Sequence, residues 1–318
     1  SERLNGSGRR RAPAPVLNLP EHLLVLGVAL ALDRLGELPT RWHPVGWMGV
    51  MIAALTRRSP HRARTQLWCG VFIALVPAAL SGLIVEALDR LAGRATSPIR
   101  VALRGLLLSW TFSLQGLERA AQTVAEDLST NELDKARDDV RALVSRPTTT
   151  LASAQIAAAA IESMAENASD SVIAPILWWR MGGPAAAAVY RAINTADAMV
   201  GYHGRYELLG RASARADDIL NLLPARLTGV AICLSSPSSA AFATMRQDHW
   251  RTESPNAGWP IAAMAGGLTR RLTKVGHYSL GQSYLEPNVH DIDRAMKVMR
   301  RAVAVVLPML CLMPGRRK

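Results

Sequence analysis

The sequence lacks the short motifs by which many soluble enzymes are recognised. Its three cysteines, Cys69, Cys233 and Cys311, lie far apart in apolar runs, which excludes a clustered metal site and indicates packing residues in a reducing compartment. It has no Walker A sequence, no glycine-rich dinucleotide fingerprint and no Ser/His/Asp elbow. It also has no strand-like alternation long enough to build a sheet and no internal repeat, so we predict an all-α fold.

Charged residues are scarce in several blocks of the chain, and this scarcity favours a membrane protein. Hydrophobic residues make up 49% of the 318 residues. The block 67–85 carries no charge and approaches the length of about 20 apolar residues that a membrane span needs. The blocks 23–32, 45–56, 101–117 and 302–313 are shorter or interrupted by a charge. We therefore expect a polytopic integral membrane helical bundle, in which some imperfect spans line a polar cavity. A soluble protein with a large buried helical core is the alternative.

The net charge of +12 is explained better by membrane-flanking arginines and an acidic substrate than by nucleic acid. The basic residues are scattered and form no nucleic-acid-binding signature, so we expect no nucleic-acid partner. If the blocks 23–32 and 45–56 form a hairpin of two spans, the arginines at 9–11 and those between 57 and 64 lie on one face. The positive-inside rule makes that face cytoplasmic and predicts a multi-pass protein of the cell (inner) membrane.

Composition divides the chain into four regions. Residues 1–15 are basic and rich in Ser, Gly and Pro, and we expect them to be disordered, with no cleavable signal peptide. Residues 16–117 would hold the N-terminal transmembrane helices. Residues 118–150 have mixed charge and helical apolar spacing, which predicts a cytoplasmic helical insertion. Residues 151–318 would form a catalytic helical region with further membrane segments.

Three acids spaced by four residues in an alanine-rich segment are the most informative feature of the chain. Glu162, Glu166 and Asp170, with Asn167 beside them, would lie on one face, because each step of four advances only about 40° around a helix. Like charges at this spacing destabilise a helix unless something binds them. We therefore expect a divalent cation or a set of basic partners there; a solvated helix face is the alternative.

Two further segments downstream repeat the combination of acids, amides and arginines. Segment 190–202 contains Asn194 and Asp197, and segment 214–227 contains Asp217, Asp218 and Asn221. Oxygen ligands spaced three residues apart on a helix suit Mg²⁺. The arginines at 191, 215 and 226 suit phosphate or carboxylate groups. Ordinary helix-surface charges are the alternative for each segment taken alone.

A turn-rich loop at 254–260 is a weaker candidate. Asn256 could offer an amide to a ligand, and Trp259 could stack on a planar ring. A structural turn before the helix from Ile261 is the alternative. His43, which precedes Pro44, is also more often structural than catalytic.

These motifs, taken in order along the chain, identify a family resemblance. Segments 162–170, 190–202, 214–221, 224–226 and 254–259 closely resemble the adenosylcobinamide-phosphate synthase family (CbiB/CobD) of cobalamin biosynthesis. Asp33 and the segment 43–49 resemble the family's N-terminal element. The resemblance covers residues from about 20 to about 300.

The resemblance implies a membrane enzyme that uses ATP and Mg²⁺ to join aminopropanol phosphate, or ethanolamine phosphate, to a carboxylate of adenosylcobyric acid. The lipid bilayer is an expected partner, as is a second copy of the chain or another late cobalamin enzyme. The catalytic residues would be Glu162, Glu166, Asp197, Asp217 and Asp218. The metal ligands would come from Glu162, Glu166, Asn167, Asp170 and Asp218. Substrate and phosphate would contact Arg191, Asn194, Arg215, Asn221, Arg226, Asn256 and Trp259.

Other functions remain open at this point. Asp217, Asp218 and Asn221 would also suit an intramembrane Mg²⁺-dependent prenyltransferase, although no second Asp-rich motif accompanies them. A non-catalytic membrane scaffold that binds a corrinoid is the non-enzyme alternative. For the synthase we expect a broad cavity open to the cytoplasm, with Trp259 and Tyr202 in its wall.

Overall fold

The computed structural model describes residues 20–36, 39, 41–59, 63–201 and 207–313. The N-terminal half contains α1 (Glu21–Leu35), α2 (Pro44–Arg57), α3 (Ala63–Ala92), α4 (Ser97–Ser109), α5 (Leu114–Ser129) and α6 (Leu133–Asp139). The C-terminal half contains α7 (Ser153–Asn167), α8 (Ala174–Gly182), α9 (Pro184–Val200), α10 (Glu207–Ser235), α11 (Ala240–Asp248), α12 (Gly258–Leu268) and α13 (Val289–Leu312). The predicted disordered N-terminus, residues 1–15, and Tyr202 lie outside the described residues.

The all-α prediction is confirmed apart from one short hairpin. Strands β1 (Leu272–Lys274) and β2 (Tyr278–Leu280) pair antiparallel between α12 and α13, with Leu272 opposite Leu280. The sequence did not predict this hairpin, because strands of three residues are too short to show an alternating pattern.

Helix α7 lies at the centre of the molecule. Every residue from Ile156 to Ala165 is buried, and α5, α12, α13 and β1 pack against the helix. Its alanines let the neighbouring helices approach closely, while α5 contributes the larger side chains of Leu117, Val124 and Leu128 to the same core. The segment predicted as an insertion, residues 118–150, therefore begins within a helix that belongs to the main core.

Helices α3, α9 and α10 form a second packed group that depends on glycine. A Cβ atom on Gly70 of α3 would lie 2.2 Å from the carbonyl oxygen of Leu209 on α10. A Cβ on Gly210 would lie 1.8 Å from the carbonyl oxygen of Val200 on α9. These contacts leave no room for a larger side chain, so the N-terminal end of α3 is held against the C-terminal end of α9.

Two described helices, Arg64–Ala92 and Glu207–Ser235, are long and apolar enough to cross a membrane. The first contains the predicted block 67–85, whereas the second was not predicted as a span. The blocks 23–32, 45–56 and 101–117 fall largely in α1, α2 and α4, which have 15, 14 and 13 residues. Those lengths are below the about 20 residues of a straight span. The block 302–313 lies largely in α13, which is long enough with 24 residues but more polar. Among the described helices, only α3 and α10 are both long and apolar enough to span a membrane.

Candidate functional site

The acids of α7 line one polar cavity of about 500 Å³. Glu162, Glu166, Asn167 and Asp170 all border it, so the face deduced from the four-residue spacing is present. The α-helix itself ends at Asn167 and continues as a π-helical turn over 168–173. Such turns occur often at functional sites, and here the turn carries Asp170 along the cavity wall.

Helix α9 supplies the facing wall through Asn194 and Asp197. Burial, together with the negative charges of Asp217, Asp218 and Glu166, raises the pKa of Asp197 to about 7. Five predicted residues of α7 and α9 that carry carboxylates or amides thus meet Asp170 in one cavity. Three of the five are carboxylates, and with Asp170 they make four, which concentrate negative charge in a partly enclosed space.

A hydrogen-bond network behind this wall fixes α9 and α10 to the π-helical turn. Asn194 Nδ2 donates to Asp217 Oδ1 at 3.1 Å, and Asn221 Nδ2 donates to Asp217 Oδ2 at 2.9 Å. The hydroxyl of Tyr190 lies 2.9 Å from Asn221 Oδ1 and 3.0 Å from the carbonyl oxygen of Asp170. Asp217 and Asn221 are buried and do not border the cavity, so their contacts position the residues that do.

Arg191 also lies behind the wall. Its Nη1 is 3.3 Å from Ser171 Oγ and 3.3 Å from Asn194 Oδ1. Asn167 is tied to the same region, because its Oδ1 accepts the hydroxyl of Ser171 at 2.9 Å. Arg191 therefore orients the amides of the wall and is absent from the residues that border the cavity.

The opposite end of the cavity is basic, and sequence reasoning assigned none of its residues to the site. Arg141 and Arg146 follow α6, and Lys274 and Tyr278 come from the β-hairpin. Arg146 Nη2 lies 3.3 Å from Glu162 Oε2. No local pattern marks Lys274 and Tyr278, because only the tertiary fold brings the hairpin to α7.

Glu162 sits where the acidic and basic ends meet. Burial raises its pKa to about 7 even though the charge of Arg146 opposes the shift. Among the described side chains, none forms a hydrogen bond with its buried Oε1. Burial and the charge of Glu162 also raise the pKa of Tyr278 well above its ordinary value, so Tyr278 faces the cavity as a neutral hydroxyl.

The remaining predicted residues form a second cluster between α10 and α12, away from the cavity. Arg226 Nη1 lies 3.2 Å from Asn256 Oδ1, and its guanidinium lies 4.9 Å from the ring centroid of Trp259. Asn256, only 5% exposed, donates from Nδ2 to the carbonyl oxygen of Asp218 at 2.7 Å. Arg215 is exposed on α10. These bonds connect the loop at 254–260 to α10. The helix expected from Ile261 begins earlier, at Gly258.

His43 also has a structural contact. Its Nδ1 accepts from the backbone N–H of Val45 at 3.2 Å, so it caps α2, where Pro44 occupies the first turn. Asp33 accepts from the backbone N–H groups of Leu114 and Gln115 at 3.2 and 3.0 Å, which fixes the start of α5 against α1.

The donor set of the cavity suits Mg²⁺ only in combination with a ligand. Among the described residues, no three His, Cys, Asp or Glu side chains are grouped closely enough to hold a metal ion by themselves. Mg²⁺ typically keeps several waters and binds through one or two carboxylates plus a substrate phosphate. The unpartnered Oε1 of Glu162 and the neighbouring carboxylate of Glu166 offer donors of this type.

A second cavity of about 860 Å³ lies at the opposite end of α9, near Pro184. Its lining is mostly apolar, and its arginines already have partners within the protein. Arg180 donates to two backbone carbonyl oxygens at the C-terminal end of α13. Arg104 contacts both Asp89 and Glu21 at 2.6 Å. This cavity therefore lacks the convergent polar groups of the acid-lined cavity.

Comparison with known proteins identifies the family. The profile of the CobD/Cbib protein family matches residues 26–306. The cobalamin biosynthesis protein CobD of Dehalococcoides mccartyi is 38% identical over 269 residues, covering 82% of this chain and 87% of the relative. The corresponding protein of Rhodobacter capsulatus is 37% identical over 294 residues, covering 89% and 93%.

A third relative covers a similar share of the chain. The probable cobalamin biosynthesis protein CobD of Pyrococcus abyssi is 38% identical over 288 residues, covering 90% of this chain and 94% of the relative. No solved structure matches the fold. On the family match, which spans most of the chain, the protein belongs to the CobD/CbiB family of cobalamin biosynthesis proteins.

Proposed function

We propose that the protein forms an amide bond between aminopropanol phosphate, or ethanolamine phosphate, and a propionate carboxylate of adenosylcobyric acid, with ATP as co-substrate. The observation that carries the proposal is the cavity in which Glu162, Glu166, Asp170 and Asp197 converge in a member of this family. An acid-lined cavity with a basic end suits a substrate that carries both an amine and a phosphate.

The chemistry requires activation of the carboxylate, because a free carboxylate does not react with an amine at neutral pH. Phosphoryl transfer from ATP to the carboxylate would give an acyl phosphate, whose carbonyl the amine attacks with release of phosphate. Mg²⁺, when bound, would neutralise charge on the transferring phosphoryl group. Glu162 and Glu166 are the residues that would hold it.

The amine must lose a proton before it attacks, and Asp197 is suited to accept it. Its pKa of about 7 lies near the working pH, where a general base is most effective. Asn194, held by Asp217, is next to Asp197 on the same wall and can orient the ammonium group.

The size of the cavity restricts what enters it. A volume of about 500 Å³ admits the small amine and one propionate arm, whereas the corrin ring is too large to follow. The ring would therefore remain at the mouth of the cavity.

We also propose that the protein is a multi-pass protein of the cell inner membrane, with α3 and α10 among its spans. Trp68, Phe72, Leu75 and Leu83 on α3 are each more than half exposed, as expected of a lipid-facing surface. The cavity lies beside the N-terminal end of α3, because Gly201 borders the cavity and lies next to the Gly210 contact. The exposed arginines 57, 58 and 64 lie at this same end, which favours a cytoplasmic cavity by the positive-inside rule.

The test is product formation by detergent-purified protein given adenosylcobyric acid, ethanolamine phosphate, ATP and Mg²⁺, followed by mass spectrometry. We expect a product heavier by one condensation, with ATP consumed only when the amine is present. Corrinoid binding without product would instead support a non-catalytic scaffold.

Glu166→Gln should reduce turnover at least a hundredfold, since it removes a carboxylate of the cavity while keeping its size. Glu126→Gln, which changes an exposed glutamate on α5, is the matched control and should leave turnover unchanged. Equal thermal stability of the two variants would exclude unfolding as the cause. Near-normal turnover of Glu166→Gln would remove Glu166 from the site.

A further inference from the structure

The basic end of the cavity presents hydrogen-bond donors that find no acceptor within the described part of the chain. The side chain of Arg146 is only 16% exposed. Its Nη2 contacts Glu162, but its buried Nε and Nη1 have no hydrogen-bond partner among the described residues. Leaving such donors unsatisfied is costly, and a guanidinium is best satisfied by the paired oxygens of a phosphate or carboxylate.

Lys274 adds a second positive charge to the same end. It is the last residue of β1 and borders the cavity together with Arg146 and Tyr278. Its charge acts on Glu162 and Glu166, so it lies over the acidic face of α7. Arg141 contributes a third cation nearer the surface, where it is exposed and paired with Asp138.

The two ends of the cavity differ in charge along α7. Glu162 is the carboxylate that contacts the cations, whereas Asp170 lies eight residues further along, about 12 Å at the rise of a helix. The strongest charges acting on Asp170 are the carboxylates of Asp217 and Glu166. A small molecule with a phosphate at one end and an ammonium at the other would match this polarity.

We infer that Arg146 and Lys274 bind the terminal phosphate of a small substrate, and that this substrate is the phosphorylated amine. The inference rests on the proposed function and deepens it. Arg146 and Lys274 therefore select amino-alcohol phosphates over free amino alcohols, and direct the amine toward Asp197. Arg146 and Lys274 would also suit the terminal phosphate of ATP. The experiment must therefore distinguish the phosphate of the amine from that of the nucleotide. The predicted phosphate ligands Arg191, Arg215 and Arg226 do not border this cavity.

The experiment compares wild type with Lys274→Met, Lys274→Arg and Arg146→Lys in steady-state kinetics. For Lys274→Met we expect the KM for ethanolamine phosphate to rise at least tenfold, while the KM for ATP stays within twofold. At a saturating concentration of the amine, kcat should fall by less than threefold. Lys274→Arg should recover most of the loss, and Arg146→Lys should keep the charge but lose paired contacts, giving an intermediate KM.

Lys297→Met is the matched control, because Lys297 is exposed on α13 outside the cavity. This variant should leave kcat and both KM values unchanged. A rise in the KM for ATP instead of that for the amine would assign the phosphate site to the nucleotide and overturn the inference. Unchanged constants in an active Lys274→Met enzyme would overturn it as well, while leaving the proposed reaction intact.

A binding measurement separates this inference from the proposed function. Isothermal titration of wild type with ethanolamine phosphate, without ATP or corrinoid, should show binding that ethanolamine alone does not give. Lys274→Met should weaken that binding at least tenfold. If wild type makes no amide product yet shows this pattern, the phosphate site stands and the proposed reaction falls. If ethanolamine and its phosphate bind wild type equally, the inference falls.

Discussion

At the scale of single residues, neighbours in the sequence have different surroundings in the structure. Asp217 is buried and accepts from two amides, whereas Asp218 is partly exposed and its backbone joins the second cluster. Helical periodicity could show that Glu162, Glu166 and Asp170 share a face. It could not show that Arg146 and Lys274 meet that face, because such contacts arise from residues far apart in the chain.

Asp291 illustrates how a residue outside the cavity supports it. Its side chain is 2% exposed and contacts Arg270 at 2.7 Å and Arg294 at 2.6 Å. Burial alone would raise its pKa, but the N–H of Asn288 and the two guanidinium groups outweigh burial and lower it. Arg270 precedes β1, so this contact fixes the segment that carries Lys274.

We expect Asp291→Asn to lower the free energy of unfolding by about 2 kcal/mol at pH 7, because it removes a buried charge that two arginines share. Since the pKa is lowered in the folded state, the stabilisation is fully present above pH 3.8 and is lost as the pH falls through the folded pKa. The difference from wild type should therefore narrow below about pH 4. Thermal unfolding in detergent between pH 3 and pH 8 measures this.

The control for that comparison is Asp293→Asn, which changes an exposed acid on the same helix. It should alter stability by less than about 0.5 kcal/mol. A constant difference between Asp291→Asn and wild type down to pH 3 would show that the carboxylate charge does not stabilise the fold.

At the scale of elements, helix existence was easier to predict than helix ends and short irregular structure. The alanine-rich pattern predicted α7, but nothing in 168–173 marks a π-helical turn, since its residues would also fit an α-helix. The hairpin at 272–280 was missed for a similar reason. Both features shape the cavity, so local sequence patterns were least informative where the site is built.

The close contact of α3 with α10 gives a prediction at this scale. Gly70→Ala should destabilise the protein by more than about 2 kcal/mol, because the new Cβ would overlap the carbonyl oxygen of Leu209. Gly27→Ala on α1 is the matched control, since nothing lies within 4 Å of its Cβ position. There alanine should stabilise the helix by about 0.5–1 kcal/mol. Chemical unfolding of both variants compares them, and equal stabilities would contradict the observed packing.

At the scale of the whole molecule, the sequence predicted an all-α bundle and the family correctly. The number of spans could not be read from composition. Several apolar blocks became short helices with one buried face, for example α1 and α4, whereas α10 combines an apolar half with the charged residues near Asp217. Apolar content alone does not distinguish burial in protein from burial in lipid.

The exposed surface of α3 tests the membrane proposal. Leu83→Arg should reduce the amount of inserted protein, because an arginine in a span costs up to about 2.5–3.5 kcal/mol, the value at the centre. Leu285→Arg makes the same change in a loop between β2 and α13, where it should be tolerated. Leu83 is 68% exposed and Leu285 is 76% exposed, so the pair differs mainly in location. Recovery from carbonate-washed membranes is the measurement, and equal recovery would place α3 outside the bilayer.

The β-hairpin beside α7 also has a consequence for synthesis. Lys274 and Tyr278 follow Glu162 by roughly a hundred residues, so α7 leaves the ribosome well before its cationic partners from the hairpin. Until the hairpin docks, the carboxylates of α7 lack the charge of Lys274, and Arg146 is the described cation in contact with Glu162. The packing around α7 is therefore completed late. A nascent chain that stops before β1 should remain susceptible to proteolysis around α7.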